Sequence, residues 1–253
     1  MSAGTTTREM TAVASHADWM PLARDSYRRL AEDFAALDPA DWDRATPCAG
    51  WTVRDMGRHL VGAMRSAASV RETMSQQRAV GKRAKETGEQ EVDAMTAIQI
   101  ERASDLGDAE IVAEMRELVD PAVKGRGRLP GFIRRRAGIQ VVMGTIDERW
   151  DLDYFLGCIL TRDAWLHRID VADALGTEPT LDEADHRIVG DVAVEWARRH
   201  GEPVELVLTG PAGGTLAQAT GGPTLELDAV EFCRVVSGRA THDHPLLQQA
   251  VPF

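Results

Sequence analysis

The stretch from residue 152 to residue 175 carries an apolar stripe that turns polar halfway along. Leu152, Leu156, Ile159 and Leu160 recur at helical spacing, and carrying the stripe forward at 3.6 residues per turn lands on Asp163, His167, Asp170 and Ala174. Gly176 supplies the stop of such a helix. An inward face that buries a carboxylate and an imidazole is costly unless the two are paired or hold a cation, so whatever this chain folds into must compensate them.

Asp163 and His167 stand four residues apart and stack on one helix face. A second imidazole is offered by His59, in the run Arg54-Asp55-Met56-Gly57-Arg58-His59-Leu60. Thr52-Val53-Arg54-Asp55 has the spacing of a capping box, and Val53, Met56, Leu60, Ala63, Met64 and Ala67 form the apolar stripe of the helix that follows. His59 falls on the flank of that stripe. Two imidazoles and a carboxylate suit a divalent ion such as Zn²⁺ and leave a coordination position open for water or substrate. Spacing alone leaves a second reading, a buried polar network in which His167 is clamped between Asp163 and Asp170.

Around these elements the pattern is mainly helical. Leu22, Tyr27, Leu30, Phe34 and Leu37 mark a first helix over residues 18–37, and residues 41–51 form a loop with two tryptophans, Trp42 and Trp51. Residues 89–122 read as two helical pieces broken at Leu106-Gly107-Asp108, and residues 125–131 and 144–151 read as irregular connections. After Pro179 the texture changes. A helix over residues 183–199 is followed by an alternating strand at 203–210, strands at 215–220 and 224–227 read as a meander, and a helix capped by Asp228.

The chain of 253 residues needs no crosslink to hold a core, and its three cysteines, Cys48, Cys158 and Cys233, form no disulfide framework and no CxxC pair. That fits a reducing, cytoplasmic setting. Residues 1–15 read as a mobile tail without the order of a signal peptide, and no apolar run reaches a membrane span. A net charge of -11 argues against a nucleic-acid binder, which would normally show a basic face. The basic stretch from Lys124-Gly125-Arg126-Gly127-Arg128 to Arg134-Arg135-Arg136 reads as a solvated loop, Cys48 as a buried inert thiol, and His242-Asp243-His244 as part of a solvated tail.

Thr46-Pro47-Cys48-Ala49-Gly50-Trp51-Thr52-Val53-Arg54-Asp55, with His59 following, resembles the start of the mycothiol-dependent maleylpyruvate isomerase family. Residues 160–176, 208–214 and 227–239 resemble further segments of that family in the right order. The resemblance implies a mainly α fold, with a DinB-like four-helix bundle over residues 16–178 and a small α+β, sterol-carrier-like domain over residues 179–253. It implies a divalent metal, zinc first, held by His59, Asp163 and His167, although in the isomerase proper the middle ligand is a glutamate, one methylene longer than Asp163. The open position would take the thiol of mycothiol, and the metal-bound thiolate would isomerise or conjugate a small electrophile. Arg239 matches an arginine expected to clamp a substrate carboxylate. Asp170, one turn beyond His167, would orient the imidazole of His167 or accept a hydrogen bond from the thiol cofactor. The partners implied are a small thiol and an electrophilic substrate, with neither nucleic acid nor membrane. Because one scaffold hosts many chemistries, a non-catalytic ligand-binding or regulatory protein and a thiol-independent metal enzyme of the same superfamily stand as alternatives.

Overall fold

The computed structural model describes residues 8–253, which divide into two compact units, Ser15–Pro179 and Thr180–Phe253 together with residues 8–14. The first unit is helical. Ser15 caps α1 (His16–Ala35), and Thr52 and Asp55 close a reciprocal capping box at the start of α2 (Val53–Ala68). They are followed by α3 (Val70–Thr87), α4 (Glu91–Arg102) and α5 (Asp108–Arg126), and later by α8 (Leu160–Leu175). Helices α1 and α2 each pack against both α5 and α8, which closes a four-helix bundle. Its core is Leu30, Phe34, Val53, Met56, Leu60, Met64, Ile111 and Met115, none more than 1% exposed. That is the stripe expected for α2, met by matching stripes of α1 and α5.

The expected break between the two middle helices lies at residues 103–107, but α3 is an addition to the elements read from the sequence. Its surface is polar, and only Gln76 and Val80 are buried, so the apolar period is too thin to announce it. A glutamine relay anchors it. Gln76 Nε2 donates to the Gly62 carbonyl at 2.9 Å, and Gln99 Nε2 donates to Gln76 Oε1 at 3.4 Å. A Cβ on Gly62 would stand 2.6 Å from Gln99 Cβ, so the bare glycine is what lets α2 and α4 come together.

Residues 144–151 are not an irregular connection. After the short α6 (Gly131–Arg134), β1 (Gly138–Met143) and β2 (Ile146–Asp151) form an antiparallel hairpin with Met143 opposite Ile146. Gly144 takes φ 55° at the first of two turn residues, the positive φ that tight hairpin turns demand. Asp151 then caps α7 (Leu152–Tyr154), and residues Phe155–Ile159 make a π-helical turn before α8.

That turn corrects the reading of the 152–175 stripe. A π turn absorbs one extra residue and resets the angular phase of everything after it. Leu152, Leu156 and Leu160 are only half-buried, while α8 from Ala164 to Ala172 is buried on all sides. The inward placement of His167 and Asp170 therefore does not continue the leucine stripe. Gly176 ends α8 in the left-handed region at φ 68°, as its C-terminal signal requires.

In the second unit, α9 (Glu183–His200) precedes a three-stranded sheet of β3 (Val204–Thr209), β4 (Gly214–Gln218) and β5 (Thr224–Asp228), and Asp228 caps α10 (Ala229–Val236). The strand order is β4-β3-β5, with β5 parallel to β3, so the sheet is not a meander. The chain crosses from β4 to the far side of β3 through Gly222, where a Cβ would lie 1.9 Å from the Pro203 carbonyl oxygen. Residues 8–14 are likewise not a free tail. Glu9 bridges Thr215, Met10 N–H donates to the Thr215 carbonyl at 2.9 Å, and Val13 N–H donates to Asp191 Oδ1 at 2.7 Å. The rest of the tail expected over residues 1–15, residues 1–7, lies outside the described residues. Among the described residues no helix is long and apolar enough to cross a membrane.

Thr52→Ala removes the hydroxyl half of the capping box and is expected to cost about 1 kcal/mol, lowering the melting temperature by about 2–4 °C in a thermal unfolding scan.

Candidate metal centre

A turn, an end of α2 and the middle of α8 meet in the first unit. The turn runs from Cys48 to Trp51, closed by the Trp51 N–H donating to the Cys48 carbonyl at 3.0 Å. Gly50 occupies its third position at φ 80°, where a type II turn needs glycine. Thr46 N–H donates to the Trp51 carbonyl at 2.9 Å and Val53 N–H to the Arg44 carbonyl at 2.9 Å, which pins the turn to the start of α2. Arg54 strengthens that end, its guanidinium meeting Asp108 at 2.7 Å and also pairing with Asp43.

His59, one turn further along α2, faces Asp163 and His167 on α8. The donor atoms of the three side chains lie within 4.8 Å of one another. His167 Nε2 stands 3.3 Å from Asp163 Oδ1, and His59 Nε2 stands 3.9 Å from Asp163 Oδ2. The two imidazoles meet edge to face with centroids 5.2 Å apart, and the Trp51 indole lies against both, at 5.1 Å from His59 and 6.2 Å from His167. Asp163 is the half-exposed member of the three, and the imidazoles are buried.

On the other side of the His167 ring, Nδ1 is 2.9 Å from Asp170 Oδ2. Asp170 is only 1% exposed. A carboxylate there accepts a hydrogen bond from Nδ1–H and leaves Nε2 as the nitrogen that points to Asp163 and His59. Cys48 completes this side, with Sγ 3.7 Å from Asp170 Oδ2.

The electrostatics follow from this packing. Burial works against the charged form of His167, but the charge of Asp163 and hydrogen bonds with Asp163, Asp170 and Cys48 outweigh it, so the imidazole is held well above its ordinary pKa. Burial likewise pushes Asp163 up, and the close polar contacts with His167 and His59 more than reverse that, holding it well below the usual carboxylate range. Without an ion, the carboxylates of Asp163 and Asp170 at 3.3 Å and 2.9 Å favour the protonated form of His167.

His59 is different. It is 5% exposed, and neither ring nitrogen has a hydrogen-bond partner among the described residues. Buried polar atoms are rarely left so. Two imidazole nitrogens and a carboxylate oxygen within coordinating reach suit a divalent ion, and such an ion would use the lone pair that His59 leaves idle. The donor set thus fits the metal that the sequence pattern suggested.

The structure brings His59, Asp163, His167 and Asp170 together. Arg239 belongs to the other unit, where it is half-buried directly after Gly238. Its backbone is set by a Schellman motif, with Arg239 N–H donating to the Arg234 carbonyl at 2.8 Å and Gly238 N–H to the Val235 carbonyl at 3.0 Å. Cys48 is a correction, since it is half-buried beside Asp170 instead of packed away as an inert thiol. The signal for it was its place just ahead of the capping box, which folds the turn back over the helix that carries His59. His242 is exposed, as expected of a solvated segment, but His244 is half-buried, its Nδ1 accepting from the Leu246 N–H at 3.3 Å at the start of a short 3-10 turn.

Residues 23–172 match the family described as mycothiol maleylpyruvate isomerase N-terminal domain. Among solved structures, the chain is similar to a crystal structure of the mycothiol-dependent maleylpyruvate isomerase, with TM-score 0.58 and 16% identity, over 92% of this chain and 93% of that one. It is similar to a histidine-to-alanine mutant of that enzyme with TM-score 0.57 and 16% identity over the same shares. A comparison with curated proteins finds no match.

Because a proton on His167 Nε2 competes with an ion for the same lone pair and the site raises the pKa of that ring, divalent affinity is expected to fall as pH is lowered from about 8 to about 6, approaching about tenfold per pH unit below the raised pKa. Competition titrations with a chromophoric chelator across that range measure it.

Proposed function

Since the chain belongs to the mycothiol maleylpyruvate isomerase N-terminal domain family, we propose that it is a metal-dependent enzyme that uses mycothiol to isomerise or conjugate a small electrophile. The observation that carries the proposal is His59, a buried imidazole with two idle nitrogens beside the Asp163–His167 pair. His59, Asp163 and His167 would hold the ion, zinc being the first candidate for a two-imidazole, one-carboxylate set.

When bound, the ion supplies the charge that keeps a coordinated thiol deprotonated at neutral pH, and mycothiol supplies the nucleophilic sulfur for reversible addition to an electrophilic double bond or for conjugation. The chain's own residues prepare that chemistry. Asp170 accepts a hydrogen bond from His167 Nδ1–H and so fixes both the ring orientation and the nitrogen that is free to coordinate. Asp163 brings the one anionic donor, on a shorter stem than the glutamate expected from the resemblance, and α8 must hold it close to His59 to reach. Trp51 covers one flank of both imidazoles and limits their rotation. With three protein donors, a coordination position remains for the thiol sulfur.

Protein purified without chelators is expected to contain stoichiometric divalent metal by elemental analysis, and His59→Ala to lose most of it. Metal-loaded protein is expected to give a thiol-dependent heat on calorimetric titration with mycothiol and to isomerise maleylpyruvate or conjugate a related electrophile. Absence of metal together with no effect of His59→Ala sinks the proposal. Metal without thiol-dependent heat points to a thiol-independent metal enzyme, and heat without turnover to a binding protein.

A further inference from the structure

Within the basic stretch that reads as a solvated loop, Arg126 is 1% exposed. Its Nε donates to the Leu156 carbonyl at 2.6 Å, and one Nη donates to the Gly157 carbonyl at 2.9 Å and to the Thr161 hydroxyl at 2.5 Å. The other Nη reaches the Tyr27 hydroxyl at 3.3 Å, with the guanidinium carbon 5.6 Å from the centre of that ring. Thr161 in turn donates its own hydroxyl to the Gly157 carbonyl at 2.7 Å. Leu156 and Gly157 lie inside the π turn of residues Phe155–Ile159. A π turn breaks the regular ladder and leaves carbonyls in want of donors, and Arg126 with Thr161 supplies them.

The phase of α8 hangs on that turn. Upstream, the chain is fixed by the Asp151 cap and by Arg134 Nε donating to Asp153 at 2.6 Å. Each residue of an α-helix turns about 100°. If the extra residue were lost to a continuous α-helix, the face that holds Asp163 and His167 would be taken by their preceding neighbours, Arg162 and Leu166. We propose that Arg126 is a positioning residue for the metal donors: by satisfying the π turn it holds α8 in the one phase that aims Asp163 and His167 at His59. This inference rests on the metal reading given under Proposed function.

The test is a Co²⁺ titration followed by visible absorption, with far-ultraviolet circular dichroism as the check on folding. Arg126→Met is expected to weaken Co²⁺ binding by at least about tenfold and to change the visible band, as loss of support behind a ligand does. Thr161→Val is expected to shift both in the same direction by less, and Thr161→Ser, which keeps the hydroxyl, to restore them. A folded Arg126→Met protein with wild-type affinity and spectrum overturns the proposal, as does Thr161→Ser failing as badly as Thr161→Val. If Arg126→Met does not fold, the two Thr161 variants decide. If wild-type protein takes up no Co²⁺, the metal reading fails by itself, and the imidazole resonances of His59 and His167 in metal-free protein decide this inference. Displacement of those resonances by the Arg126 or Thr161 variants supports it, and unchanged resonances overturn it.

Discussion

The ion pair between His167 and its two carboxylates is the constraint to which the helical unit answers. An imidazolium taken out of water is tolerable only with its counter-charges in contact, and here Asp163 at 3.3 Å and Asp170 at 2.9 Å meet its two nitrogens from opposite ends of the ring. All three sit on α8, so the helix carries its own compensation. What α8 does not supply is a hydrogen bond to His59, which arrives from α2 with Asp163 Oδ2 at 3.9 Å and both nitrogens unsatisfied. The asymmetry between a fully satisfied His167 and an idle His59 is what turns a polar core into a candidate ligand set.

Much of this was legible in the sequence, because the devices involved are local. The capping box at Thr52, the Asp228 cap and the Gly176 stop are short patterns whose energetics depend on neighbours in the chain, and each stands where its pattern places it. The stripe of α2 was legible for the same reason, since a surface of Val53, Met56, Leu60 and Met64 has one way to be buried. What escaped depends on non-local partners. The hairpin of β1 and β2 is short, with its turn signal in a single glycine. The parallel pairing of β5 with β3 is decided by a crossing at Gly222 that no local period announces.

The π turn is the most instructive case. Counting at 3.6 residues per turn from Leu152 arrives at Asp163, His167 and Asp170 as one face, yet the leucines that began the count are only half-buried. The inserted residue means the count joins two helical segments of different phase. The donors that permit it come from Arg126 and Thr161, and Arg126 lies in a stretch whose composition reads as solvent-exposed. A buried arginine bonded to carbonyls is invisible to any rule based on charge runs, because its partners are main-chain atoms thirty residues away.

The hairpin ahead of α7 has one more consequence. A two-stranded ribbon has two open edges, and open edges invite strands from other molecules. In β2 the sequence Ile146-Asp147-Glu148-Arg149-Trp150-Asp151 sets charge at four of six positions, and Asp147 also ties back to Gln140 across the ribbon at 2.7 Å. Recruiting a foreign strand would mean stripping water from those charges. The β2 edge is thus guarded, while its last residue, Asp151, is left to do a different task as the cap of α7, from which the chain runs through the π turn into α8.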